Sequence, residues 1–555
     1  MNIEKDLIFW TQRGIVTNET SEEIQNVIKE YSEIKTPAIE KEISRMFHEK
    51  LIRTPQERLK IAKKLKRYEA VKQVDYSDDD FWNLMSVDGL ENQKRLKEEL
   101  NNVSPSFCLA KWNQVTIHLQ NGTNHSCHHP APHQIPYDEL RGSPSALHNT
   151  RFKKQQRKLM LNGKRPPECD YCWNVEDSNP DAFSDRIMKS GEGWAFPYFH
   201  GVKNSDSNED VIPSYVEISF SNQCNMACGY CDVKSSSKWQ SEIEKLGGYP
   251  TSKKFNDTEW LKTNGIYPTP YTQPNPYRDA FWKWWPDLFP KLHTFRITGG
   301  EPLIQKDTFK VLDYIIDNPK INPQLELSVN SNLSGPQDMV DEFFDKVKYI
   351  CDKDLVWNFG LFTSIESYGE HAEYMRDGLD TNKFWNNIET FLEKVEKASV
   401  TIMSTYNLTS IFSFDKVIER VVEYKRKYYN YKRYRHYACM LDIAYIREPE
   451  FLQIRNLPTN LLDLTKGHLN LMHKHSEEHY SEIYKHGHMG FYDFEREKLR
   501  RMIDWAESPI EDVEWLIRQR KDFVAFIDEF DKRRNKNFLQ TFPQFENFYN
   551  SCKSL

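Results

Sequence analysis

The chain has 555 residues, of which 38% are hydrophobic, and it carries 75 Lys and Arg against 82 Asp and Glu. This length suits three or four domains, and the net charge of -7 gives no sign of the strongly basic surface of many nucleic-acid-binding proteins. No apolar run is as long as a membrane span, and the charged residues 1–6 do not resemble a signal peptide, so we expect a cytoplasmic protein without a membrane segment.

The first 100 residues predict helices. Apolar residues recur at helical spacing among many charged ones in residues 22–31, 38–51 and 54–74. We interpret residues 1–100 as a helical cover or as an arm that binds a partner.

Residues 101–205 contain four cysteines around a predicted β-hairpin. Apolar and polar residues alternate in residues 115–119, and Asn121-Gly122 supplies a turn of the primed type, so a return strand should follow. The last two cysteines share one tight turn and are close enough to bind the same metal ion. The four cysteines are Cys108, Cys127, Cys169 and Cys172.

Three histidines, His128, His129 and His133, follow Cys127. They could supply a further metal ligand or carry a proton. More often, histidines in such a sequence line a polar loop.

Cys224, Cys228 and Cys231 lie in a loop just after a predicted strand at residues 215–220. Their spacings of four and three residues let one loop wrap its sulfurs around a single small centre. A [4Fe–4S] cube held only by protein takes four thiolates, so three would leave one iron open to an exogenous ligand. A zinc ion held by these cysteines and a distant histidine is the alternative.

A second short strand, residues 295–298, ends in Gly299-Gly300-Glu301-Pro302. The two glycines let the backbone come close to a ligand. The carboxylate of Glu301 can accept a hydrogen bond from an ammonium group. An ordinary strand-to-helix turn would explain the glycines but not the whole motif.

Strands alternate with helical stretches between about residues 214 and 445. A further strand is predicted at residues 400–405. This alternation implies a parallel sheet with helices on its outer face. The rest of the chain, residues 446–555, is again mostly helical.

The CxxxCxxC loop, with Tyr230 before its last cysteine, and the GGEP motif resemble the signature of radical S-adenosylmethionine enzymes. The resemblance implies a [4Fe–4S] cluster on Cys224, Cys228 and Cys231, with S-adenosylmethionine on the open iron. One electron from that cluster would cleave the cosubstrate to a 5′-deoxyadenosyl radical that abstracts hydrogen. The family fold is a partial (β/α)6 barrel, here residues 206–445, with ligands at the carboxyl ends of its strands.

The same resemblance assigns residues to the cosubstrate. Glu301 would hold its amino group, Ser364 would approach the ribose and Arg376 the carboxylate. Glu366 stands where the family more often has Asp, which leaves its role open, and serine or asparagine at a strand end can also cap the following helix. The full set is Tyr230, Gly299, Gly300, Glu301, Asn330, Ser364 and Arg376.

The four upstream cysteines resemble the SPASM and twitch modules, in which a hairpin with glycine five residues before cysteine and a CxxC turn help to ligate a second cluster. Such modules usually follow the barrel, whereas residues 101–205 precede it. The resemblance implies an auxiliary Fe–S cluster on Cys108, Cys127, Cys169 and Cys172, and a structural zinc site with four thiolates is the alternative. Either centre would stabilise this region, because metal binding is coupled to folding.

Resemblance to these enzymes implies a peptide or protein side chain as substrate and a low-potential electron donor such as flavodoxin or ferredoxin. A nucleotide or a small metabolite is the alternative substrate. An alternative from another class of protein is a binding protein that is stabilised by metal and has lost catalysis. The complete cysteine triplet and Glu301 argue against that loss.

Overall fold

The computed structural model describes residues 90–555 apart from residues 180, 254–255, 431–436 and 485–487. The helices predicted between residues 22 and 74 lie outside the described residues. The described chain is mixed α/β, with helices before, between and after the strands of a nine-stranded, mostly parallel sheet. The α/β class expected from the sequence is therefore confirmed.

Eleven strands are described. They are β1 (Gln114–His118), β2 (Thr123–His125), β3 (His133–Gln134), β4 (Tyr215–Ser219), β5 (Ala227–Cys228), β6 (Thr294–Thr298), β7 (Glu326–Asn330), β8 (Asn358–Ser364), β9 (Arg376–Asp377), β10 (Ser399–Tyr406) and β11 (Cys439–Tyr445). The large sheet has the order β11-β10-β8-β7-β6-β4-β1-β2-β3, and β5 pairs separately with β9.

The α-helices of the described residues fall into three groups, which precede, connect and follow the parallel strands. The first group is α1 (Leu90–Val103), α2 (Ala110–Asn113), α3 (Tyr137–Gly142), α4 (Arg151–Leu161), α5 (Asp170–Ser178), α6 (Asp185–Ser190) and α7 (Phe199–Lys203). The second is α8 (Ser237–Leu246), α9 (Thr258–Thr263), α10 (Pro276–Leu288), α11 (Lys306–Asp317), α12 (Gln337–Asp352), α13 (Glu370–Met375), α14 (Thr381–Lys394) and α15 (Phe414–Lys427). The third is α16 (Thr459–Leu462), α17 (Leu464–Lys474), α18 (Glu477–Tyr484), α19 (Asp493–Glu507), α20 (Val513–Arg534), α21 (Phe538–Thr541) and α22 (Glu546–Lys553).

Six strands follow chain order across the sheet, and each pairs in parallel with the next: β4, β6, β7, β8, β10 and β11. Because parallel crossovers are right-handed, a sheet that grows in one direction puts its connecting helices on one face. Consistent with this rule, α11 contacts α12, and α12 contacts α14.

The two faces of the parallel strands differ in chemistry, because side chains alternate along a strand. One face is apolar and buried, as Ile218, Ile297 and Val329 illustrate. The other face holds half-buried polar groups, among them Arg296 and Asn330. The helices cover the first face, so the second is left to form the wall of a cavity.

The predicted hairpin of β1 and β2 is present, and it extends the sheet beyond β4. Its turn residue Gly122 has a φ of +65°, and a Cβ there would lie 2.1 Å from the ring of Tyr277. Both the backbone conformation and the lack of space therefore require glycine.

Two hydrophobic cores form within the described residues. The smaller one joins α1 to the cysteine-rich region through side chains such as Phe107, Trp112 and Trp173. The larger one contains the sheet, and residues of the C-terminal helices such as Phe526 and Phe538 belong to it. In residues 90–555, apart from the gaps given above, no helix is both long and apolar enough to cross a bilayer.

Candidate active site

The loop with Cys224, Cys228 and Cys231 begins directly after β4 and is held on one side by β9. Cys228 on β5 is the register partner of Arg376 on β9. The amide of Gly229 also donates to the carbonyl of Met375 at 2.7 Å. These backbone contacts fix the middle of the cysteine loop against a segment far along the chain.

The start of helix α8 holds the other side of the loop. Ser236 caps this helix by accepting from the amide of Trp239, and its hydroxyl donates to the carbonyl of Met226 at 2.6 Å. The indole of Trp239 donates to the carbonyl of Cys228 at 2.8 Å. The cysteine loop is thus held between β9 and α8 by hydrogen bonds.

The three cysteines are half-buried and line one cavity of about 850 Å³. Burial raises the pKa of Cys224 to about 12, and it also raises the pKa values of Cys228 and Cys231. The thiols are therefore protonated at neutral pH in the metal-free chain. A metal centre would have to displace these protons, which couples its binding to pH.

The glycine motif approaches the cysteine loop backbone to backbone. The amide of Gly300 donates to Ser221 at 3.0 Å, and the amide of Glu301 donates to the carbonyl of Gln223 at 2.7 Å. A Cβ on Gly300 would lie 2.3 Å from that carbonyl of Gln223, and Gly299 has a φ of +119°. The close approach of the two loops therefore depends on both glycines.

Glu301 does not line the cavity, contrary to the expectation that its carboxylate contacts a ligand. The side chain is fully buried and accepts from the amides of Leu303 and Asn332 and from the hydroxyl of Ser331, at 2.9, 2.6 and 2.7 Å. Burial raises the pKa of Glu301 to about 7, although these hydrogen bonds act in the opposite direction. The carboxylate joins the ends of β6 and β7, and it is a positioning group.

The other residues expected at the cosubstrate all line the same cavity as the three cysteines. Asn330 accepts at 3.0 Å from Arg296, whose guanidinium lies 4.1 Å from the ring centroid of Phe362. The set that lines the cavity is Tyr230, Gly299, Gly300, Asn330, Ser364 and Arg376. Residues from five separate segments therefore meet at the carboxyl ends of the parallel strands.

Arg376 is buried and donates to Glu366 from Nε and Nη2 at 3.0 and 2.8 Å. Burial opposes the charge on this guanidinium, but the neighbouring carboxylate outweighs it and raises the pKa of Arg376. Glu366, whose role the sequence left open, thus fixes the orientation of Arg376. The guanidinium carbon also lies 5.5 Å from the ring centroid of Tyr230.

Part of the cavity wall was missed by sequence reasoning. Asp522 on α20 accepts from the amide and the hydroxyl of Ser252 at 2.7 and 2.5 Å, which brings the C-terminal region onto the cavity. No local pattern distinguishes these residues, since they become neighbours only in the folded chain. The missed wall residues include Lys234, Lys253, Asp257, Trp260, Glu448, Pro449, Glu450, Phe451, Gln519 and Asp522.

The four upstream cysteines, Cys108, Cys127, Cys169 and Cys172, line a second, smaller pocket. They come from the loop before α2, the segment after β2 and the start of α5. Burial raises the pKa values of Cys169 and Cys172 to about 12. The fold therefore gathers all four predicted ligands around one space.

Lys111 lies on the wall of this second pocket and is almost fully buried, at 2% exposure. Its ammonium forms an ion pair with Glu168. Burial disfavours this charge, but Cys169 and Glu168 outweigh it and raise the pKa of Lys111. A permanent positive charge thus lies beside the upstream cysteines.

In neither pocket do three cysteine sulfurs lie within 4.8 Å of one another. Among the described residues, the one group of three or more His, Cys, Asp or Glu whose ligand atoms lie within 4.8 Å of one another is His128, His129 and Asp185. Zinc bonded to sulfur at 2.3 Å in a tetrahedron needs sulfurs about 3.8 Å apart. No three cysteines therefore have the spacing of a tetrahedral zinc site.

Comparisons with protein-family models, with curated proteins and with solved structures find no match for this chain. Function must therefore be inferred from the side chains around the two pockets. The larger pocket combines three thiols with glycine backbone, polar strand ends and a guanidinium, and the smaller one combines four thiols with an ammonium.

Proposed function

We propose that this protein is a radical S-adenosylmethionine enzyme with a partial (β/α)6 barrel. The observation that carries the proposal is that Cys224, Cys228 and Cys231 line one cavity together with Gly299, Gly300, Asn330, Ser364 and Arg376. Open α/β sheets bind ligands at the carboxyl ends of their strands. Three thiols at that edge, beside a close glycine turn, suit a metal centre that shares its site with a polar cosubstrate.

The donor set suits a [4Fe–4S] cluster better than zinc. Three thiols are available, and within the described residues no His, Asp or Glu joins them in a group with ligand atoms within 4.8 Å. A cube distributes its ligands over separate irons and tolerates wider sulfur spacing than one ion does. With three cysteines, one iron remains open to a ligand from outside the protein.

The cavity also suits S-adenosylmethionine. Its volume of about 850 Å³ lies within the range of small-molecule sites, which is about 300–1,000 Å³. Arg376, held by Glu366, would bind the carboxylate of the cosubstrate, and the backbone of Gly299 and Gly300 can approach its amino group closely. Asn330 and Ser364 offer polar groups to the ribose.

S-adenosylmethionine bound beside a reduced cluster would supply the chemistry for hydrogen abstraction: one electron from the cluster would break the bond between the 5′ carbon and sulfur, with methionine as the leaving group. The side chains of the protein orient the reactants and keep water away. Tyr230 and Phe451 bring aromatic surface to the cavity wall, and Asp522 anchors α20 over it through Ser252. The C-terminal region therefore covers the site.

We further propose a second Fe–S cluster on Cys108, Cys127, Cys169 and Cys172. Four thiols match the requirement of a [4Fe–4S] cluster that is ligated by protein alone. Lys111 would offset part of the negative charge of four thiolates. Such a cluster could exchange an electron with the substrate or with a donor.

A peptide or protein side chain is the proposed substrate, as the likeness to SPASM and twitch enzymes implies, with flavodoxin or ferredoxin as electron donor. Trp260 lines the cavity with 57% of its surface exposed. This aromatic surface could contact a substrate that extends beyond the cavity, as a peptide would. All ten cysteines are free thiols, which suits the reducing cytoplasm.

The test is anaerobic reconstitution with iron and sulfide, followed by iron analysis. We expect about eight irons per chain in the wild type and about four when Cys224, Cys228 and Cys231 are all changed to alanine. Changing the buried Cys351 and Cys552 to alanine is the matched control and should leave eight.

Catalysis is read separately as 5′-deoxyadenosine released when S-adenosylmethionine and dithionite are added. The wild type and the control should release it, and the triple variant should not. A wild type that binds zinc instead of iron, or that holds iron but never cleaves the cosubstrate, would contradict the proposal.

A further inference from the structure

His128, His129 and Asp185 form a compact group of possible metal ligands beside the upstream cysteines, and His129 and Asp185 line the same small pocket as those cysteines. Nε2 of His129 lies 2.7 Å from Oδ2 of Asp185, and Nε2 of His128 lies 3.5 Å from the same oxygen. A metal ion with bonds of about 2.0–2.1 Å to nitrogen and oxygen places neighbouring donors roughly 3 Å apart. Both histidines therefore lie at about this distance from Asp185, and all three ligand atoms lie within 4.8 Å of one another.

Separate elements hold the three ligands in place. The histidines follow Cys127, whereas Asp185 is the first residue of α6. The ring of His129 stacks on Tyr171, with centroids 3.7 Å apart and planes inclined by 10°. The side chain of His129 is only 6% exposed, so packing restricts the orientation of this ring.

The group is open on its outer side. The side chain of His128 is 57% exposed and that of Asp185 is 33% exposed. Water or a ligand could therefore complete the coordination. Two imidazoles and one carboxylate with open positions are a donor set for divalent first-row transition metals.

We propose that His128, His129 and Asp185 bind one divalent first-row transition-metal ion, which is distinct from the centre on the upstream cysteines. Four cysteines are enough for a cluster ligated by protein alone, so neither histidine is needed there. The separation of this ion from the cysteine centre rests on the proposed auxiliary cluster, whereas the spacing of the three ligands does not. Its ligands on the cysteine-rich segment and on α6 would be tied together by the bound ion.

The ammonium of Lys189 competes with a metal ion for the carboxylate of Asp185. This ammonium lies 3.8 Å from Oδ2 of Asp185. A cation this close opposes the binding of a second one by Coulomb repulsion. Changing Lys189 to glutamine should therefore tighten metal binding, an effect that a merely structural His–Asp pair would not produce.

The experiment uses the full-length chain after anaerobic reconstitution of its iron centres. Zn²⁺ is titrated in by calorimetry, and bound zinc and iron are then counted by mass spectrometry after dialysis. We expect one zinc per chain in the wild type. We expect at least about tenfold weaker binding in His128→Ala and Asp185→Asn, since even loss of a supporting group costs 10–100-fold at metal sites.

His473→Ala is the matched control, because His473 is also exposed but lies on α17, away from this group. The control should bind zinc as the wild type does, and His128→Ala should keep the iron content of the wild type. Zinc binding that survives in both His128→Ala and Asp185→Asn, or no zinc binding in the wild type, would overturn the proposal. Loss of iron in His128→Ala would also overturn it, because the histidine would then serve the cluster.

Discussion

Arg376 and Glu366 form a buried ion pair at the edge of the candidate active site. The guanidinium donates twice to Oε2 of the carboxylate, at 3.0 and 2.8 Å, and the two side chains are 7% and 0% exposed. Arg376 is also the backbone partner of Cys228. The pair therefore links the cysteine loop to the end of β8.

Changing Arg376 to alanine should lower the free energy of unfolding by about 3–5 kcal/mol, because the carboxylate of Glu366 stays buried without its partner. Urea denaturation of the metal-free chain measures this loss. The double change of Arg376 to methionine and Glu366 to leucine should recover much of the stability. If the alanine variant of Arg376 were as stable as the wild type, the ion pair of Arg376 and Glu366 would be exposed to solvent.

Glu301 should make stability depend on pH. Burial raises its pKa from 4.5 in the unfolded chain to about 7 in the folded one. Between these values the folded chain holds more of the proton, so stability falls as pH rises through the window and levels off above it. In the metal-free chain, ionisation of Glu301 should lower the free energy of unfolding by about 3 kcal/mol across this window.

The isosteric change Glu301→Gln tests this dependence, because glutamine does not titrate. As pH rises from 4.5 to 8, the urea midpoint of the wild type should fall relative to that of the variant. The difference between the two curves isolates the contribution of Glu301 to the pH dependence of stability. Parallel curves would show that Glu301 titrates normally.

Gly300→Ala should separate the glycine turn from the cysteine loop. A Cβ would lie 2.3 Å from the carbonyl of Gln223, and backbone must shift to admit it. We expect a roughly tenfold or greater loss of 5′-deoxyadenosine formation, since each 1.4 kcal/mol of misplacement costs a factor of ten. The rate per iron centre is the measurement.

Gly467→Ala is the control for this change, because a Cβ on Gly467 in α17 would meet nothing within 4 Å. It should leave the rate unchanged and raise stability slightly, since alanine favours a helix over glycine. If both variants kept the wild-type rate, close approach of the two loops would not matter to the reaction.

Lys111→Met should make the proposed auxiliary cluster harder to reduce. Loss of the buried ammonium beside Cys169 removes a charge that stabilises the extra electron. We expect the reduction potential to fall by on the order of 50 mV, since 59 mV corresponds to a tenfold change for one electron. Potentiometric titration followed by electron paramagnetic resonance measures it.

Lys164→Met, an exposed lysine of the same region, is the comparison for this charge. Solvent screens the charge of Lys164, so the reduction potential of this variant should stay within a few millivolts of that of the wild type. An equal shift in both variants would show that the potential responds to total charge rather than to the buried ammonium.

Local patterns predicted the strands well, because alternation of apolar and polar residues depends only on neighbours in sequence. The strand expected at residues 295–298 is Thr294–Thr298, and the one at 400–405 is Ser399–Tyr406. The role of Glu301 was predicted less well. Its partners Ser331 and Asn332 follow a different strand, so no local pattern could show that the carboxylate is already occupied.

The sequence by itself determined the α/β class, the hairpin with its obligatory Gly122, and the identity of the two cysteine sets, since spacing and turn residues carry this information locally. Only the tertiary structure decided that Glu366 holds Arg376, that Asp522 reaches the cavity wall, and that Asp185 meets His128 and His129. The last two of these contacts join segments that are distant in the chain. They arise because burial of the two hydrophobic cores, rather than any short motif, brings those segments together.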